Sequence, residues 1–245
     1  MKDFKLIKEE AGMHMNTENL DQELKGFVLA IGAGKVGFAD LRPYFGEIRK
    51  AYGNTWDNYP VAISVALNMP SAVIREISAK GPTDSYARFY DVANIALDTM
   101  TMRITDWLEE RGFSAFPITA SKVSKEGLHG IFSHRAAAHL AGLGWIGKSC
   151  CLITPDRGPM QRLATVLCDA PLKCGMPMES KCGDCTCCLD ACPADAIKGR
   201  NWQMGQDVSE RVDRDACKAF LKKNYETYGS SVCGICLSAC PWGKC

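Results

Sequence analysis

Five cysteines lie within eleven residues near the end of the chain, and a proline follows the last of them. Four of these cysteines have the C-x2-C-x2-C-x3-C-P spacing of bacterial ferredoxins: Cys182, Cys185, Cys188 and Cys192. Cys187 falls outside that spacing. A second run has C-x2-C-x3-C-P spacing and only three thiols: Cys233, Cys236 and Cys240. Because a [4Fe–4S] cluster takes four thiolates, we expect Cys217 to supply the missing one.

The spacing also predicts how two clusters share the eight thiolates. In two-cluster ferredoxins the cysteine before the proline binds the opposite cluster. One cluster is therefore expected on Cys182, Cys185, Cys188 and Cys240, and the second on Cys192, Cys217, Cys233 and Cys236. Zinc is the main alternative, because zinc ribbons also use C-x2-C pairs. A ribbon needs two pairs per metal, however, whereas here each run continues to a cysteine followed by proline.

Composition limits the classes of function. The 245 residues are 47% hydrophobic, enough for a sizeable core, and 29 basic against 28 acidic residues give no overall charge that favours nucleic acid or membrane. The charged start of the chain and the lack of a long apolar run predict a soluble cytoplasmic protein. In a reducing compartment, 14 cysteines are expected to be metal ligands or redox groups. We expect Cys150, Cys151 and Cys168, in apolar surroundings, to be small buried hydrophobes.

The cysteine-free part alternates helical and strand-like patterns, which predicts an α/β (α+β) layer fold. Strands are expected at 35–41, 61–68, 113–119, 152–154 and 163–168. A long helix is expected after a turn at Gly81–Asp84 and runs to about Glu110. We place an α/β domain at 1–175 and a small two-cluster ferredoxin-like domain at 176–245. The GAGKVG stretch from Gly32 fits G-x-G-x-x-G, but a helix precedes it and a strand follows, so we interpret it as a helix stop and turn rather than a dinucleotide site.

A family resemblance covers the chain from His134 to Trp242. The stretch SHRAAAHLAGLGWIGK from Ser133 resembles the signature of epoxyqueuosine reductases, in which an arginine precedes A-G-L-G-W-x-G-K. The following LITPDRGPMQR and CDAPL segments resemble reductive dehalogenases. Both families continue into a double-cluster arrangement with a C-P-W ending like that at Cys240.

The resemblance implies a nitroreductase-like domain that binds cobalamin, with the two clusters delivering low-potential electrons to it in an anaerobic metabolism. A low-potential ferredoxin or flavodoxin type of donor would serve as partner. The residues expected to contact the corrinoid are Arg135, Gly142, Gly144, Trp145, Gly147, Lys148 and Arg162. Glycines would let the backbone approach a flat macrocycle, Trp145 would offer a stacking face, and the cations would neutralise phosphate. Tight packing around the glycines is the alternative.

The departures from the family concern the substrate. The acidic proton donor of epoxyqueuosine reductases falls on Leu128, and the helical-repeat extension after C-P-W is absent, so tRNA or another nucleic acid is not expected as partner. The replacement donors that we consider are His129, His134 and Tyr86, each of which could instead be a packing or surface residue.

Two function classes remain open. The first is an iron–sulfur oxidoreductase that reduces a small-molecule or nucleoside-type substrate through a corrinoid. The alternative is an electron-transfer or reductive-activation protein without a corrinoid, which docks a redox partner.

Overall fold

The computed structural model describes residues 19–77, 81–120 and 130–243. Its helices are α1 (Leu20–Ala30), α2 (Phe45–Tyr52), α3 (Ser71–Glu76), α4 (Asp84–Glu109), α5 (His134–Leu140), α6 (Cys187–Asp190), α7 (Arg214–Tyr228) and α8 (Ile235–Ser238). Its strands are β1 (Lys35–Asp40), β2 (Val61–Asn68), β3 (Ala115–Ile118), β4 (Trp145–Ile146), β5 (Leu152–Ile153) and β6 (Gln161–Cys168). Short 3-10 turns lie at Arg42–Tyr44, Gly53–Trp56, Val208–Glu210 and Pro241–Gly243.

The core is a four-stranded antiparallel sheet in the order β1-β2-β6-β3. Strand β2 is apolar on both sides because helices cover both faces of the sheet: Val61, Ile63 and Val65 face one layer and Ala62 the other. The prediction of a mixed α/β fold is confirmed, with antiparallel rather than parallel neighbours.

Helix α4 covers one face of the sheet. Its side chains Leu97, Ile104 and Leu108 are fully buried and share a core with Val166 of β6. Thr83 caps the helix, because its Oγ1 accepts a hydrogen bond from the backbone N–H of Tyr86 at 3.2 Å. The predicted long helix is thus present with bounds close to those expected.

Helix α5 covers the other face, through Ala137 and Leu140. Its N-cap is Ser133, whose Oγ accepts a hydrogen bond from the backbone N–H of Ala136 at 3.3 Å. The glycines near β1 serve packing: a Cβ on Gly37 would lie 3.0 Å from the carbonyl oxygen of Ala141 in the α5 turn. The GAGKVG stretch therefore follows the end of α1 and runs into β1, in agreement with the helix stop and turn interpreted from sequence.

The cysteine-rich segment packs directly against the first part of the chain. Val232 and Ile235 share a core with Ile74 and Tyr86, and Cys240 shares another with Trp145. The division of the chain at residue 175 stays a prediction. Within the described ranges, no helix is long and apolar enough to cross a membrane.

Candidate functional site

The first thiol group consists of Cys182, Cys185, Cys188 and Cys240, which line one pocket together. Burial, together with the neighbouring thiols of Cys182, Cys240 and Cys185, raises the pKa of the Cys188 thiol to about 12. Cys240 therefore lies beside the run that begins at Cys182, 58 residues earlier in the sequence. The four thiols are grouped as the spacing predicted, and their donor set is the one that a [4Fe–4S] cluster requires.

The geometry of that pocket depends on residues between α5 and β5. Lys148 Nζ donates to the carbonyl oxygens of Gly183 at 2.7 Å and Cys185 at 3.2 Å, which fixes the loop that carries the thiols. Trp145 is 1% exposed and packs edge-to-face on Trp242, with ring centroids 4.8 Å apart. Lys148 and Trp145 thus support the first thiol group.

The second thiol group consists of Cys192, Cys217, Cys233 and Cys236. Asp213 caps α7 by accepting from the N–H of Ala216 at 3.0 Å, and this places Cys217 in the first turn of the helix. Burial raises the pKa of Cys217 and of Cys233, and in both cases the nearby thiol of Cys192 adds to the effect. The backbone N–H of Ala196 also donates to Cys192 Sγ at 3.4 Å.

No three His, Cys, Asp or Glu side chains among the described residues are grouped closely enough to hold one metal ion. The ligands of a single zinc stand about 2.3 Å from one centre, whereas a cubane spreads its four ligands over four irons. Both thiol groups therefore have the composition of cluster sites.

A third group surrounds Cys151, and we call it the Cys151 site. Its members are Tyr86, Tyr90, His134, Arg135, Cys151 and Arg162. The neighbouring thiol of Cys236 lowers the pKa of the Cys151 thiol, and the positive charges of Arg135 and Arg162 lower it as well. Cys151, Tyr90 and Arg162 each keep part of their surface accessible, and Arg135 is exposed. The site therefore places two cations near Cys151, which lies beside Cys236 of the second thiol group.

Arg162 is held in place from two sides. Its Nη2 donates to Asn94 Oδ1 at 2.8 Å, and its guanidinium carbon lies 3.8 Å from the centre of the Tyr90 ring. Arg135 Nη1 donates to the carbonyl oxygen of Cys150 at 2.6 Å. Both arginines are therefore oriented before any ligand binds.

Tyr86 and His134, the two candidate proton donors among the described residues, differ in their hydrogen bonding and in the direction of their pKa shifts. Tyr86 is 4% exposed, and burial raises its pKa well above the ordinary value, so that its hydroxyl stays protonated. Both nitrogens of His134 are engaged, with Thr165 Oγ1 at 2.9 Å and the carbonyl oxygen of Thr119 at 3.0 Å. Burial lowers the pKa of His134 to about 4, so it is neutral near pH 7. This geometry departs from the expected donor role for His134, because its N–H is already committed to Thr119. His129 lies outside the described residues.

Four of the residues expected to face a macrocycle face protein instead. A Cβ on Gly142 would lie 2.7 Å from the carbonyl oxygen of Met176, and one on Gly144 would overlap that of Ile153. Gly147 lies against the Ile153 side chain, and Trp145 is buried against Trp242. The close approach that the glycines permit is between two protein segments, so the packing alternative describes their contacts.

Sequence reasoning missed Cys151, Cys150 and Arg211. Cys151 was expected to be an inert hydrophobe, yet it contacts the second thiol group. Arg211 is 7% exposed, its Nη1 donates to Cys150 Sγ at 3.3 Å, and its Nε is buried without a partner among the described residues. The adjacent pair Cys150-Cys151, placed just after the glycine-rich signature, was the only sequence signal.

Comparisons with known proteins agree with this arrangement. Residues 181–243 match the 4Fe-4S double cluster binding domain. A 120-residue part is 35% identical to an epoxyqueuosine reductase of Bacillus anthracis, covering 47% of this chain and 30% of the relative. A solved epoxyqueuosine reductase with a tRNA-Tyr epoxyqueuosine-modified stem loop matches with a TM-score of 0.59 at 22% identity, covering 93% of this chain and 66% of that one. A reductive dehalogenase described in terms of B12-dependent dehalogenation matches with a TM-score of 0.69 at 19% identity, covering 90% and 31%.

These matches confirm the resemblance drawn from sequence and the fold class. The C-terminal segment is a double-cluster domain, and the chain carries two [4Fe–4S] clusters. One of these proteins of the same fold was solved with a tRNA stem loop, whereas we did not expect nucleic acid as a partner of this chain. The B. anthracis match spans about a third of the length of that relative.

Proposed function

We propose that this chain is an iron–sulfur reductase that uses its double-cluster domain to reduce a group held in the Cys151 site. The observation that carries the proposal is the position of Cys151 beside Cys236, a thiol of the second group, with the oriented guanidinium groups of Arg135 and Arg162 near it. That arrangement brings two arginines and a protonated tyrosine next to a position from which electrons can be delivered. Strongly perturbed groups in an accessible site favour a functional role over simple packing.

We further propose a corrinoid as the group in the Cys151 site, which the B12-dependent dehalogenase of the same fold supports. Bound clusters supply one-electron transfer and a bound corrinoid supplies a reducing cobalt centre. The exposed guanidinium of Arg135 and the fixed one of Arg162 suit the phosphate and amide groups of such a cofactor. The fit rests on these cations, since the glycines predicted to line a macrocycle pack against protein.

The residues of the chain have separate tasks in this proposal. The eight thiolates hold the clusters, and Lys148 fixes the loop of the first group. Arg162 orients the ligand from its position over Tyr90, and Tyr86 holds a proton at its hydroxyl for the reduced product. The low-potential donor, of ferredoxin or flavodoxin type, would meet the first thiol group, whose loop around Gly183 and Asp184 is exposed.

The proposed substrate is a small molecule or a nucleoside. The tRNA complex of a related protein makes a nucleoside within RNA a candidate. Binding of an RNA stem loop and of its free nucleoside to the anaerobically reconstituted protein separates these two cases. If the protein binds neither the stem loop nor the nucleoside, a non-nucleoside small molecule is left as the substrate class.

The second candidate function is electron transfer or reductive activation without a corrinoid. The packing of Gly142, Gly144 and Trp145 against protein favours it, since these residues were expected to contact the macrocycle. In that case the Cys151 site would face a redox partner. Rapid electron exchange with that partner and no turnover of a substrate alone would identify this function.

The test is binding of cobalamin to protein that contains both clusters. We expect cobalamin to co-elute with the protein in gel filtration, with a changed absorbance spectrum. Arg135→Gln should weaken retention, because it removes an exposed cation of the site. Arg200→Gln is the matched control, since Arg200 lies on the exposed surface near Glu210. Absence of retention with intact clusters would reject the corrinoid and favour the second function.

A further inference from the structure

Helix α4 has an apolar stripe on the side away from the core. Ile95 is 67% exposed, Met102 54% and Val92 46%, and their spacing places them on one side of the helix with Thr99. The hydroxyl of Thr99 donates to the carbonyl oxygen of Ile95 at 2.9 Å, so its hydrogen-bonding need is met within the helix. None of the described residues covers this stripe, which we call the α4 face.

Charged residues flank the α4 face on both sides of its centre. Arg88 and Asp91 precede the apolar residues, and Arg103 and Asp106 follow them; all four are exposed. The structure records no ion pair for Arg88 or Asp106 within the part of the chain that it describes. Arg88 and Asp106 are about 27 Å apart along the helix axis, at 1.5 Å per residue.

The order of these residues is symmetric about the level of Leu97. Arg88 and Asp106 lie equally far from that level on opposite sides, and so do Val92 and Met102. If two copies of the helix lie antiparallel, Arg88 of each copy therefore meets Asp106 of the other, Asp91 meets Arg103, and the apolar centres meet each other. A two-fold axis requires this self-complementarity, because the same patch must serve both subunits.

We propose that the α4 face is the contact between two copies of this chain, arranged antiparallel about a two-fold axis level with Leu97. Arg88 of each copy lies opposite Asp106 of the other, and Ile95 lies at the centre of the contact. A single helix face buries less than the roughly 800 Å² per partner of a standard interface. The dimer is therefore reversible, and it dissociates on dilution.

Analytical ultracentrifugation of the cluster-containing protein over a dilution series tests this arrangement. We expect the mass of two chains at high concentration and of one chain at low concentration. Ile95→Glu should give one chain throughout, because it places a charge at the apolar centre in both copies. Glu226→Arg, an exposed change on α7, is the matched control and should leave the dimer intact. A wild-type protein of one chain at all concentrations would overturn the proposal.

Charge reversal tests the register separately. Arg88→Glu and Asp106→Arg should each weaken the dimer by about tenfold or more, because two-fold symmetry repeats every unfavourable pair. The double variant should restore it, since the pairs then form with their signs exchanged. A dimer that is unaffected by both single changes, or by Ile95→Glu, would show that two copies associate elsewhere. Because cluster content is read from the same samples, an unfolded variant is distinguished from a folded monomer.

Discussion

Replacing Gly144 by alanine tests whether the glycine-rich signature serves packing or a cofactor. In the structure the added Cβ overlaps the carbonyl oxygen of Ile153, and a backbone atom cannot turn aside as a flexible side chain can. We therefore expect a destabilisation at the upper end of the range for overpacking, about 3 kcal/mol. For a chain of this size that lowers the thermal midpoint by about 6–12 °C.

The matched control is Gly26→Ala in the interior of α1. A Cβ at Gly26 meets nothing within 4 Å, and the residue is exposed on the helix. Alanine there should stabilise the protein by about 0.5–1 kcal/mol, because glycine loses more backbone freedom in a helix. The midpoint should rise by about 1–4 °C. Replacement of glycine by alanine is thus expected to stabilise the protein at position 26 and to destabilise it at position 144.

The assay is far-ultraviolet circular dichroism during heating, on protein with both clusters, under anaerobic conditions and at one heating rate, because unfolding with cluster loss is irreversible. A Gly144→Ala protein with the wild-type midpoint would refute the packing interpretation. If that variant also failed to retain cobalamin, the macrocycle interpretation of the signature would regain support.

Three further predictions concern the thiol groups and the core. The double variant Cys182→Ala with Cys240→Ala should keep about four of about eight irons in an iron analysis, because both thiols belong to one group. If the first four and the last four cysteines each held one cluster instead, the same variant would lose both clusters. Cys187→Ala is the control and should keep all the iron. Arg211→Gln should lower the reduction potential of the second cluster, measured by an EPR-monitored titration, because it removes a buried positive charge; an unchanged potential, as expected for Arg200→Gln, would contradict this. Because the pKa of His134 is about 4 in the folded protein and about 6.5 when unfolded, stability should fall by up to about 1.4 kcal/mol per pH unit as the pH decreases from 6.5 towards 4. His134→Gln should flatten that dependence of the unfolding midpoint, and an equally steep curve would count against it.

Local patterns predicted much of the architecture. The bounds of β2 match the predicted 61–68, and α4 begins at Asp84, the last residue of the predicted turn, and ends within a residue of the expected position. Residues close together in the chain predict both elements. An uninterrupted apolar run indicates a strand covered on both faces, and apolar residues spaced three to four apart indicate a helix. The grouping of Cys240 with Cys182 also followed from spacing, because short loops can reach only certain corners of a cubane.

The Cys151 site could not be predicted in the same way. Tyr86 lies on α4, Arg162 on β6 and Cys236 on α8, and no spacing in the sequence relates them. The glycines of the signature were also ambiguous, because a missing side chain permits close approach without naming what approaches. The group that approaches Gly144 is the carbonyl of Ile153, and this contact depends on how β4 pairs with β5.

The sequence alone predicted the two sets of thiols and the order of the elements, because the spacing rule of two-cluster ferredoxins gives the first and local residue patterns give the second. Only the tertiary structure decided that Cys151 meets Cys236, that Arg135 and Arg162 converge on it, and that the signature glycines pack against protein. The physical reason is that chain-distant contacts depend on which faces of the sheet the helices and cysteine loops cover. The packing of the whole core determines which faces are covered.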